Sequence, residues 1–152
     1  MAMRLLQLDG IALRIDHEAT RAIYESLVED SCASCGCEFC RNWINARPYV
    51  HSAAFVAFLE QFGISPDREA EVSFAGFKSD GQFPYNGWYH FVGEIADVKE
   101  QPLNLWIPPC GVNFTSELLC VYDRFRGLPT MQLDFSTTVP WLLPNGPAAA
   151  VE

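Results

Sequence analysis

An α+β domain, with N-terminal helices packed on an antiparallel sheet built from C-terminal hairpins, is the fold class this sequence predicts, and three observations predict it. Phe55, Phe58, Leu59 and Phe62 recur at steps of three and four residues, the spacing of a single helix face. From Glu71 onward the pattern changes to apolar alternation between turn-forming residues, which suits strands joined by hairpins. The order is helices first and strands second, with no internal repeat and no linker. One domain over residues 1–143 is expected, followed by a flexible tail, 144–152, that lacks any periodic apolar pattern.

The elements follow in order. Residues 11–15 read as a short strand, after which Asp16 can cap a helix to residue 29 that turns Ile23, Tyr24 and Leu27 inward. The segment CASCGCEFC comes next, and its Ser34 and Gly36 favour an irregular loop up to Glu38. A helix over 38–46 follows. Arg47 precedes Pro48, which disfavours helical geometry at Arg47 and pre-sets the first turn at Pro48, so a second helix meets the first at an angle. That second helix carries the aromatic stripe and ends at Gly63, a residue suited to a left-handed cap.

Val72 and Phe74 alternate ahead of FKSDGQFPYNG, where Asn86-Gly87 reads as turn chemistry. In the next run Tyr89, Phe91 and Ile95 oppose Trp88, His90 and Val92, so both faces are apolar enough to be covered. Prolines at 102, 108 and 109 indicate a long surface connection. A last hairpin with its turn at Gly127 and Leu128 places Arg124 opposite Met131, Tyr122 opposite Leu133 and Cys120 opposite Phe135. Its other face, with Val121, Asp123, Gln132 and Asp134, is polar enough to meet water.

With 49% apolar and 19% charged residues, the chain can build a core. Its net charge of -9 repels phosphate backbones and anionic headgroups, so neither nucleic acid nor a membrane is an expected partner. Gln7 and Asp9 interrupt the early apolar run before a secretory core is complete, and no stretch reaches the roughly twenty apolar residues of a membrane span. A cytoplasmic, reducing location is expected, and the Asn113-Phe114-Thr115 acceptor pattern is discounted with it. Phe83, Tyr85, Trp88 and Tyr89 make the densest aromatic run; left exposed, they would bind a protein partner or a second copy in a homodimer.

Four of the six cysteines, Cys32, Cys35, Cys37 and Cys40, fall within nine residues. Four thiolates satisfy the tetrahedral preference of zinc, and Gly36 permits the tight curl that the single residue between Cys35 and Cys37 demands. A variant uses three sulfurs with His51 or His90 as an imported ligand. Two C-x-x-C pairs, Cys32 with Cys35 and Cys37 with Cys40, suit redox work, Cys37 standing at a helix start. An iron–sulfur centre fits the spacing less well, and reduced structural thiols that hold no ion are an alternative of equal weight to zinc. Cys110 and Cys120 read as small buried apolar residues. His90 and Glu94 could form a base with its orienting carboxylate, but the sequence offers no nucleophile for them. The function these features predict is a small non-catalytic domain acting through protein contacts, with a cysteine-bound structural zinc ion. A thiol-dependent oxidoreductase is the first alternative, and a metal-dependent hydrolase with an open coordination position is the second.

Overall fold

The computed structural model describes residues 2–28, 35–76, 81–98 and 104–146. Strands β1 (Arg4–Leu8) and β2 (Ile11–Ile15) form a hairpin, and α1 (His17–Ser26), α2 (Glu38–Val50) and α3 (Ala53–Glu60) follow. Then come β3 (Glu71–Phe74), β4 (Gln82–Val98), β5 (Asn104–Ile107), β6 (Cys110–Thr115) and β7 (Thr130–Pro140). All seven strands join one antiparallel sheet in the order β1-β2-β4-β7-β6-β5, with β3 also paired to β4. The predicted α+β class is what this compact domain shows. No helix among the described residues is long and apolar enough to cross a membrane.

β4 organises the sheet. One edge pairs with β7 from Gln82 to Val92; the other pairs with β3 over Tyr85–Trp88 and with β2 over Gly93–Val98. Between those two partners the backbone groups of His90 and Val92 would face an open gap, and buried amides and carbonyls left unpaired are costly. Helix α1 fills the gap with side chains. The Tyr24 hydroxyl donates to His90 O at 2.8 Å and accepts from His90 N at 3.1 Å, Thr20 Oγ1 accepts from Val92 N at 2.8 Å, and Asp16 N donates to Val92 O. Asp16 also caps α1 as predicted, its carboxylate accepting from Ala19 N.

Helices α2 and α3 cover the inner face of the sheet. Phe55, Phe58, Leu59 and Phe62 are all buried, as their periodicity predicts, and Phe62 packs 4.7 Å from Phe91 while Phe55 meets Phe135 edge-on. Gly63 takes the left-handed conformation, φ +84°, beyond the end of α3. A Cβ there would sit 2.4 Å from His17 O, so both conformation and packing require glycine.

Several expectations are corrected. The helix break expected at Arg47-Pro48 does not occur: α2 runs through Pro48 to Val50, and the chain turns at His51, after which Ser52 caps α3 through Phe55 N. The local preference is overridden because Trp43 and Arg47, one turn apart, both bind the fully buried Glu69, at 2.6 Å each. Asn86-Gly87 is mid-strand, paired with Ser73 and Val72 on one side and with Ser136 and Phe135 on the other. Prolines 108 and 109 form the short β5–β6 turn, with a cis bond between them, in place of a long connection; Pro102 lies outside the described residues.

The hairpin expected about Gly127 is not formed either. β7 pairs with β6, Val112 opposite Phe135 and Phe114 opposite Leu133, while residues 116–129 fold over the outer face around a 3₁₀ turn, Asp123–Phe125. The inward alternation of Met131, Leu133 and Phe135 holds, because it is set by the core and not by the neighbouring strand. Gln132 is buried under that fold-over instead of meeting water. Ile95 is 40% exposed where β4 shifts register against β2. Of the expected tail, residues 147–152 lie outside the described residues; before them Trp141 Nε1 donates to Asn145 O at 2.6 Å.

Candidate metal centre

The cysteine segment ends by starting a helix. Gly36, at φ +70°, turns the chain, and Cys37 then caps α2, its sulfur accepting from Cys40 N at 3.4 Å. Because the cap and the third residue after it share one side of the first turn, Cys37 and Cys40 face together, and the turn at Gly36 returns Cys35 to them. The three sulfurs lie within 4.8 Å of one another. Around a tetrahedral zinc with Zn–S bonds of about 2.3 Å, sulfurs stand about 3.8 Å apart, so small side-chain rotations suffice to close this set on one ion. Cys35 and Cys37 are exposed and Cys40 is half-buried.

The helix start is anchored, which fixes the sulfurs relative to the sheet. Tyr85 donates its hydroxyl to Phe39 O at 2.9 Å, and Phe39 stacks 4.5 Å from Phe74. Asn42 donates to Pro140 O and accepts from Leu142 N, bridging α2 to the end of β7. Partial burial would raise the Cys37 thiol, but the N–H groups of Cys40 and Phe39 and the neighbouring thiols of Cys35 and Cys40 outweigh it and lower its pKa below the ordinary value. The donor set is soft, anionic when ionised, and fits zinc or a similar ion.

Of the four predicted sulfur ligands, Cys32 lies outside the described residues. The histidines do not join the set. His51 is at the far end of α2, its ring stacked on Phe55 and its Nδ1 3.5 Å from Asp67. His90 is on the outer face of the sheet, where its Nε2 donates to Gln132 Oε1 at 3.0 Å. Burial depresses the pKa of both, against the pull of neighbouring acidic or hydrogen-bonding groups. Glu94 pairs with Arg14 at 3.8 Å, so the His90–Glu94 base is not assembled. Cys110 is buried as expected, its thiol pushed up to about 12 by burial. Cys120 is not: it is exposed, at φ +49° in the fold-over segment.

The aromatic patch is dissolved by the pleat. Tyr85 and Tyr89 are buried on the inner face with their hydroxyls bound to Phe39 O and Pro66 O. Phe83 shares that face, half-buried against Trp141 and Phe74, whereas Trp88 stands on the outer face with its Nε1 donating to Leu119 O. The four do not form one surface. Sequence reading missed the Trp43, Arg47 and Glu69 cluster; the one visible signal was a tryptophan and an arginine four residues apart on a helix that also carries apolar residues.

Fold and site together define an α+β protein with a three-cysteine candidate metal centre at a helix start. The chain matches no family model, and no curated protein or solved structure matches it.

Proposed function

We propose that the chain is a non-catalytic domain in which Cys35, Cys37 and Cys40, with Cys32 as fourth ligand, hold a structural zinc ion. The observation that carries this reading is the convergence of three sulfurs at a helix start tied to the sheet by Tyr85 and Asn42. Bound there, the ion cross-links the segment preceding α2 to the helix and adds its binding free energy to folding. Metal analysis of protein made without a polyhistidine tag, in zinc-supplemented medium, tests it. About one zinc per chain is expected, lost in Cys37→Ser and Cys40→Ser; below half an equivalent in the unsubstituted protein, the reading is wrong. Cobalt substitution adds a check, since thiolate ligands give intense sulfur-to-cobalt charge-transfer bands.

A second reading, a thiol-dependent oxidoreductase, is favoured by Cys37 and Cys40 forming a C-x-x-C pair at the helix start. It requires metal-free protein whose pair cycles reversibly between dithiol and disulfide. Thiol titration of protein equilibrated with glutathione separates the two readings.

A further inference from the structure

The outer face of the sheet, opposite α2 and α3, carries a groove of about 450 Å³. Register places its side chains in two rows across five strands. Asn104, Asn113, Asp134, Trp88 and Glu71 form one; Trp106, Gly111, Ser136, Asn86 and Ser73 form the next. Gly111 lowers the floor, since a Cβ there would come 3.2 Å from Ser136 Oγ. The side chains of Asn86, Asn104, Asn113 and Ser136 make no hydrogen bond to any described residue, so four groups able to donate and accept line one concavity on a rigid support.

Asp134, by contrast, is aimed. His90 Nε2 and Leu119 N both donate to Gln132 Oε1, and Gln132 Nε2 donates to Asp134 Oδ1 at 2.7 Å. Gln132 is 2% exposed and His90 is fully buried, so this chain of bonds, polarised in one direction, ends on an acceptor at the groove. Trp88 forms a wall, its indole fixed by the bond to Leu119 O. Trp106, 67% exposed, stands beside Gly111 with no side chain intervening.

From these features we infer that the groove binds a neutral saccharide. A sugar ring offers hydroxyls that donate and accept at once, matching carboxamides and a serine. It also offers a face of polarised C–H groups, which the electron-rich face of an indole attracts. Among the described residues no lysine or arginine lines the groove and Asp134 does, so an anionic ligand is repelled. The site is separate from the cysteines and does not depend on the metal reading.

Ligand-observed NMR with glucose, galactose, maltose, cellobiose and chitobiose, followed by tryptophan fluorescence titration of any binder, tests this. At least one neutral sugar is expected to saturate, and glucuronate is expected not to compete. Asn113→Ala and Asp134→Ala should each weaken binding about tenfold, with the circular dichroism spectrum unchanged for Asn113→Ala, whose side chain has no internal partner. Cys37→Ser should leave sugar affinity intact whether or not it abolishes zinc. The inference fails if no sugar saturates, if glucuronate binds as well as the neutral sugar that saturates, or if Asn113→Ala retains full affinity.

Discussion

Gly87 has no side chain because the ring of its cross-strand partner occupies that place. A Cβ would lie 2.5 Å from Phe135 Cζ and 2.7 Å from Glu71 O, one an aromatic ring in the packed core and the other backbone. The ring cannot withdraw without moving Trp43 and Phe55, which both pack on Phe135, and the carbonyl belongs to the paired strand β3. Gly87→Ala is therefore expected to destabilise the fold by about 1–3 kcal/mol, the usual cost of overpacking, seen as a lower urea midpoint with an unchanged slope. The same residue shows what single positions conceal. Asn-Gly has strong turn chemistry, and only the partner two strands' worth of sequence away reveals that this glycine is a packing device. The cysteines are the opposite case: their partners lie within nine residues, so spacing alone made three of them legible as one site.

At the scale of elements, α1 acts as a surrogate strand. Its Thr20 and Tyr24 side chains satisfy the β4 edge where β3 has ended and β2 has not begun. Tyr24→Phe keeps the ring against Phe125 but removes the group that serves both His90 N–H and His90 C=O. A loss of about 1–3 kcal/mol is expected, together with faster amide exchange at His90 than at neighbouring strand positions. If His90 stays as protected as Tyr89, the tyrosine is only a packing residue. Periodicity showed that Tyr24 points inward, but not that it completes a sheet, because side-chain bonds to a strand edge leave no trace in hydrophobic pattern. The α2 boundary was misread for a related reason: a proline rule describes local cost, and the buried Glu69, some twenty residues on, outweighs it. Strand faces were recovered wherever the helices bury them. Strand partners were not, since the β6–β7 pairing depends on how residues 116–129 cross the outer face.

For the whole molecule, the buried titratable groups set a window of pH. His51 and His90 both have folded pKa values below the ordinary 6.5, with burial as the main cause in each. Above pH 6.5 both are neutral, folded or unfolded, and contribute no slope. As pH falls through 6.5 the unfolded chain takes up protons that the folded state refuses. Stability then declines by up to about 1.4 kcal/mol per pH unit for each histidine, until the folded values are reached. At the alkaline end the signs reverse. Tyr24, Tyr89 and Cys110 have raised folded pKa values, so the unfolded chain loses protons first and stability falls as pH rises past the thiol's ordinary 9.0 and then the phenols' 10.0. Urea unfolding across this range should give a plateau between about pH 6.5 and 9 with declines on both sides. His90→Gln keeps a donor toward Gln132 and removes one of the two acid-side titrations. Its acid slope between pH 6.5 and 5, above the range where ordinary carboxylates titrate, should be shallower than that of the unsubstituted protein. An unchanged slope would mean that His90 takes protons as readily folded as unfolded, and that the network from His90 to Asp134 is open to water.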